Sequence, residues 1–328
     1  MEITMQHNNF YYDFQRYYWN AWRIEQKKQG NTTDWYMKGF EKSGDEFMDT
    51  IPVYDSGNRF LVLITKALRD QWDIKDQKRG WTLNEWLYIF MVHRITGSGS
   101  SFDQDHGYKN TIIPQLGELN DIDEMTDWIY EYNGPMYTSG GCQIPAFPKL
   151  DNPFCKPWTY DFRVLTEKAQ GKLYLCTLLP QLIDKLAKRM KSGMMTHREV
   201  VDMCYNFNRK RGFNSFTFQY SLFAADCSDF FPQYVDHESP CYWGTNSRKA
   251  VKLMTPKGKG KVEERMDTVV DDFIVDFKKK YGIDIQWKSV EATACDYYKY
   301  LKEWIPDYYK HLGTPRRDFS LIPKGTKV

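Results

Sequence analysis

No C-x-x-C pair occurs among the seven cysteines, Cys142, Cys155, Cys176, Cys204, Cys227, Cys241 and Cys295. That absence removes the usual zinc and thiol-redox spacings, and the odd count favours reduced thiols, mostly in the core. No G-x-x-x-x-G-K-[ST] string is present either, which argues against a nucleotide kinase of the P-loop class. Apolar runs such as Phe60 to Ile64 and Leu173 to Leu179 fall far short of the ~20 residues that span a bilayer. Residues 1–9 are polar and lack the apolar core of a signal peptide, so a cytosolic protein is the expectation. Alternating β-branched stretches are scarce, which points away from sheet.

What the chain does have is aromatic residues. Trp 11, Tyr 23 and Phe 20 make up 16% of 328 residues, enough either to line a large core or to offer faces for stacking on bases. Net charge is only +2 but is unevenly spread: residues 1–150 hold 15 cationic and 21 acidic side chains, residues 151–328 hold 30 and 22. The second part is therefore the side expected to face a polyanion.

Periodicity predicts a mainly α protein. Tyr11, Phe14, Tyr18 and Trp22 share one face of a helix over Phe10 to Gln29, closed by Gly30. Further helices are expected over Arg59 to Trp72, Leu83 to Arg94, Asp121 to Tyr132, Leu173 to Lys191, Phe213 to Ala225, Val262 to Tyr281 and Val290 to Glu303. Thr82 with Glu85, and Thr196 with Glu199, have capping-box spacing. Residues 1–132 read as an N-terminal helical region, the Pro- and Gly-rich residues 133–158 as an irregular connection, and 159–328 as a C-terminal helical region. All three are expected to form one integrated globular unit.

Four constellations carry polar chemistry. Arg94 leads into a Gly/Ser/Asp-rich loop from Thr96 to Asn110, where Gly97 and Gly99 permit close approach of an anion, Ser98, Ser100 and Ser101 offer donors, and His106 is titratable. A plain surface loop is the alternative. From Asn206 to Asp226, the basic turn Arg209, Lys210, Arg211 feeds a helix start suited to phosphate, and Gln219 and Asp226, seven apart, share a face. A buried helix with satisfied polar groups would look the same.

The segment from Tyr234 to Val251 contains Asp236, His237 and Glu238, whose alternation on extended chain argues against a metal site, followed by Arg248 and Lys249, which suit a pyrophosphate. Last comes Cys295-Asp296-Tyr297-Tyr298-Lys299-Tyr300, with Asp296 and Lys299 on one helical face, a spacing also found in surface ion pairs. Between the last two, Pro256-Lys257-Gly258-Lys259-Gly260-Lys261 forms a basic loop suited to a phosphate backbone or simply to solvent.

Taken in order, the basic turn and helix ending in Asp226, the Gly-containing loop with Arg248, and the Ala-x-Cys-Asp-Tyr-x-Lys-Tyr helix resemble the thymine-hypermodification family. Its members are the α-glutamyl/putrescinyl thymine pyrophosphorylases, or amino acid:DNA transferases, related to the helical domain of hydroxymethyluracil DNA kinases. The resemblance is clearest over residues 200–302, and the missing P-loop favours the transferase branch.

It implies a helical fold like that of DNA glycosylases, with a helix-hairpin-helix region, in a phage enzyme working in the host cytoplasm. The expected substrates are double-stranded DNA carrying a pyrophosphorylated thymine methyl group and an amino acid or polyamine that displaces the pyrophosphate after base flipping. No cofactor and no membrane are implied, with a divalent metal ion left open. On this reading Asp226, His106, Asp296 and Lys299 are catalytic candidates, while Arg94, Ser98, Gly99, Asn110, Gln219, Arg248 and Lys249 hold substrate or pyrophosphate. Arg209, Lys210, Arg211, Lys257, Lys259 and Lys261 meet DNA. A glycosylase-like hydrolase using Asp226 or Asp236, and a non-catalytic DNA-binding protein, are the alternatives.

Overall fold

A computed structural model of the chain describes residues 8–28, 80–96, 112–132, 174–211 and 217–304. In chain order its helices are α1 (Asn9–Lys28), α2 (Leu83–Thr96), α3 (Ile113–Leu116), α4 (Ile122–Glu131), a π-helical turn (Tyr174–Leu178), α5 (Leu179–Lys191), α6 (His197–Arg209), α7 (Thr217–Phe230), α8 (Thr245–Met254), α9 (Val262–Tyr281) and α10 (Trp287–Trp304). The fold is mainly α. Among the described residues the only β pairing is one isolated bridge, Met195 with Val235.

Local chemistry explains most boundaries. Thr196 and Glu199 form the expected reciprocal cap at the start of α6. At α2 only half of the box forms: Glu85 accepts from the Thr82 amide at 2.7 Å, but the Thr82 hydroxyl accepts from Asn84. Asp121 caps α4 through the Glu124 amide, and α9 ends where Gly282 turns left-handed at φ 67°. The helix expected from Leu173 opens instead as a π turn. Pro180 accounts for this, since it has no N–H to give the Cys176 carbonyl and its ring crowds that carbonyl.

α10 starts earlier than expected, at Trp287, whose indole donates to Asp271 on α9 at 2.8 Å. α7 runs on to Phe230, beyond the expected Ala225, because Asp226, Cys227 and Ser228 are all buried. The helix expected at Arg59 to Trp72 and the connection 133–158 lie outside the described residues.

The chain divides into two compact units, one formed by Met1–Gly57 with Pro240–Val328 and the other by Asn58–Ser239. The division falls at positions other than 133–158, and the first unit joins the two ends of the chain.

In this terminal unit α1, α8, α9 and α10 enclose a core built of rings. Phe14 lies 4.9 Å from Phe273 and 5.2 Å from Tyr297, Tyr18 lies 4.9 Å from Phe277, and Tyr17 lies 5.3 Å from Tyr300. Each fully buried ring of this size contributes ~1.5–3 kcal/mol of transfer free energy. Two of the tyrosine hydroxyls find partners, which lowers the cost of burying them: Tyr11 donates to Asp276 and Tyr18 pairs with Ser289. The aromatic face of α1 is thus core.

The central unit is arranged around α2, where every residue from Leu87 to Ile95 is buried, so the helix is enclosed on all sides. It packs on α5 and α7, and α6 packs on α7.

Candidate functional site

Among the described helices the most extensive pairing is between α8 and α10 in the terminal unit, and it gathers an unusual set of polar groups. α8 begins at Gly244, which has no side chain to cap the helix. The cap comes from Glu291 on α10, whose Oε1 accepts from the Gly244 amide at 2.9 Å and from the Ser247 hydroxyl at 2.5 Å. A Cβ at position 244 would stand 3.0 Å from that same oxygen, so glycine here allows the carboxylate to reach the backbone. Asn246 hydrogen-bonds Cys295. Asp296 and Lys299 form an ion pair at 2.9 Å, and the Lys249 ammonium lies 5.3 Å from the centre of the Tyr298 ring.

Helical spacing puts Glu291, Cys295, Asp296 and Lys299 along one stripe of α10, at i, i+4, i+5 and i+8. Burial raises the Glu291 carboxyl above its ordinary range, opposed by the Ser247 and Gly244 hydrogen bonds. Burial likewise raises Asp296, opposed by Lys299. The Cys295 thiol is pushed up to about 11 by burial, so it is not a thiolate at neutral pH. The arrangement offers two carboxyl groups that are better bases than free Asp or Glu, flanked by cations.

The other anticipated residues are distributed as follows. Arg94 and Asp226 meet in the central unit as a fully buried two-pronged pair, Nε to Oδ2 and Nη2 to Oδ1, both at 2.6 Å. Clasped in this way, Asp226 and Arg94 are each already engaged, and together they clamp α7 to α2. Gln219 is buried on α7. Arg209 and Lys210 are exposed at the end of α6, whereas Arg211 stacks 3.5 Å over the Phe207 ring and donates to its carbonyl.

In the terminal unit, Arg248 pairs with Glu263 on the surface. Lys257, Lys259 and Lys261 are exposed between α8 and α9, the last 3.5 Å from Glu264. Ser98, Gly99, His106 and Asn110 lie outside the described residues. Asp236 accepts from the Glu238 amide, and among the described residues no group of three or more His, Cys, Asp or Glu is placed to hold a metal ion.

Glu291 was not among the anticipated residues. The signal that could have found it is its spacing of four and five from Cys295 and Asp296. His93, buried beside Arg94, was also missed; burial and that guanidinium hold it well below the usual imidazole range. Comparison of the chain with protein-family models, curated proteins and solved structures gives no match. No helix among the described residues is long and apolar enough to cross a membrane.

Proposed function

We propose that this protein is a transferase of phage thymine hypermodification. On this reading it replaces the pyrophosphate of 5-(pyrophosphorylmethyl)uracil in DNA with an amino acid or polyamine amine in the host cytoplasm, on a DNA-glycosylase-like, helix-hairpin-helix scaffold. The observation that carries the reading is the meeting of α8 and α10. The Arg248 segment and the Cys295 to Tyr300 segment are two separate parts of the family resemblance, and they pack together around Glu291.

In the reaction, the amine nitrogen bonds to the methylene carbon while the carbon–oxygen bond breaks, and pyrophosphate leaves with the electron pair. The proton released from nitrogen passes to the Asp296 carboxylate, made more basic by burial and held in place by Lys299. Lys249 and Arg248 supply positive charge where the leaving group gathers negative charge. Glu291 is a positioning residue that fixes the start of α8 relative to α10. Asp226 is given a clamping role here, and His106 is the remaining titratable candidate.

The test is nucleoside mass spectrometry on DNA carrying pyrophosphorylated hydroxymethyl-deoxyuridine, incubated with the protein and a mixture of amino acids and polyamines. A new amine-bearing nucleoside, lost in Asp296→Asn and Lys299→Met, is expected. Unchanged nucleosides with every amine present would sink the proposal. Release of free base would transfer it to a hydrolase, and wild-type turnover in Asp296→Asn with loss in His106→Ala would move the base to the imidazole.

A further inference from the structure

The end of α8 opposite Glu291 borders a cavity of about 510 Å³, and of its lining residues only Lys257 was among those expected to meet DNA. Three cations line it: Lys252 on the last turn of α8, Lys257 in the loop that follows, and Arg265 on the first turns of α9. Among the described residues no carboxylate lines it. The nearby acids of α9 are directed elsewhere, Glu263 to Arg248 and Glu264 to Lys261. Neither Lys252 nor Lys257 has an ion-pair partner among the described residues.

Arg265 holds the loop in place by donating to the carbonyls of Lys259 at 3.2 Å and Gly260 at 2.6 Å. Its Nε is buried and has no hydrogen-bond acceptor. Three like charges converging without a counter-charge repel one another, and an anion in their midst relieves that cost. The rest of the lining is partly apolar, from Phe10, Leu253 and Val262.

We propose that this groove binds the phosphate backbone of a DNA strand, with sugar and base edges lying over its apolar wall. A strand fits better than a free anion because the positive charge does not stop at the groove: Lys259 continues it along the exposed loop. A lining whose described charges are all positive is also a poor seat for an amine co-substrate. The ten residues of α8 separate the groove from the Glu291 cluster by about 15 Å. DNA engaged at the cluster can therefore also reach the groove. The choice of DNA as occupant rests on the transferase reading, while the phosphate chemistry rests on the groove itself.

The experiment is fluorescence anisotropy of a labelled DNA duplex titrated with the full chain over a range of salt, comparing wild type with Lys252→Ala/Lys257→Ala. Both side chains are exposed, so the fold should persist, and circular dichroism checks that it does. The expected result is an affinity loss of about tenfold or more, with the salt slope shallower by about 2, about 1 for each lysine removed. Lys279→Ala/Lys302→Ala, which removes two exposed cations outside the groove lining, should change both quantities much less.

Equal affinity and slope in wild type and groove variant would overturn the proposal, as would an equal loss in the control variant. Loss of dTMP binding alone, with DNA binding intact, would also overturn it and reassign the groove to a free nucleotide. If the groove variant loses DNA binding while the wild type converts no base, the groove stands and the transferase reading fails. Base conversion with an indifferent groove variant gives the reverse.

Discussion

The two units bury polar groups in opposite ways. In the central unit the charges are matched and sealed: Arg94 grips Asp226 with two hydrogen bonds in a region where neither side chain is more than 2% exposed. Tyr174, Asn208 and Tyr220 form a similar closed cluster, as do His197 and Ser228. In the terminal unit the deep core is aromatic, and the polar groups described above gather around α8: Glu291 at its start, Asp296 and Lys299 midway along the α10 face it meets, and Lys252, Lys257 and Arg265 where α8 gives way to α9. A buried charge that is fully paired holds structure together, whereas a partly exposed charge retains the capacity to act on a second molecule. That difference is why the chemistry is assigned to the terminal unit.

The contrast can be broken most forcefully at the clamp. Arg94→Ala or Asp226→Ala should each cost ~3–5 kcal/mol in urea unfolding, because the surviving charge stays buried without its partner. The double replacement Arg94→Met/Asp226→Leu should recover most of that loss. If either single alanine variant unfolds like wild type, the clamp assignment is lost.

In the terminal unit the comparable loss should come from apolar contact alone. Phe14→Ala removes a ring touching Tyr18, Phe273 and Tyr297 and should cost ~3–5 kcal/mol, with the near-ultraviolet dichroism of the aromatic core reduced.

A smaller effect is expected at Glu291. Glu291→Ala leaves the Gly244 amide without its acceptor and the Ser247 hydroxyl with the Gly244 carbonyl alone, and should cost ~1–3 kcal/mol, whereas Glu291→Gln keeps an acceptor and should cost less. The pH dependence sharpens the point. A carboxyl whose value is raised on folding contributes stability that is fully present below its unfolded value and is lost as pH rises through its folded value. Wild type should therefore lose stability from the ordinary carboxylate range upward relative to Glu291→Gln. Parallel stability curves for the two proteins would show that Glu291 does not titrate as assigned.

The smallest stability change, within ~0.5 kcal/mol, belongs to Lys249→Ala, an exposed position. Its effect should instead be on DNA, as lower affinity and a weaker salt dependence in the same anisotropy titration.

Much of the fold was legible in the residue pattern. The 3 and 4 residue spacing of Tyr11, Phe14, Tyr18 and Trp22 marked α1 and its buried face, Thr196 with Glu199 marked the start of α6, and Gly282 closes α9 at the expected residue. α8 was missed because its cap belongs to another helix: Gly244 contributes no side chain, and Glu291 lies 47 residues away. The anticipated site was only partly brought together. Spacing showed that Asp296 and Lys299 share a face, but it could not show Arg94 reaching Asp226 across 132 residues.

The sequence by itself determined a helical protein rich in aromatic core residues, the limits of several helices and the Asp296 and Lys299 pair. These depend on neighbours within a turn or two of one another. The tertiary structure decided that the ends of the chain form one unit, that Asp226 is clasped by Arg94, and that α8 brings Glu291 and a cationic groove to its two ends. Those outcomes depend on which helix faces pack, and packing is set by the summed burial of distant residues.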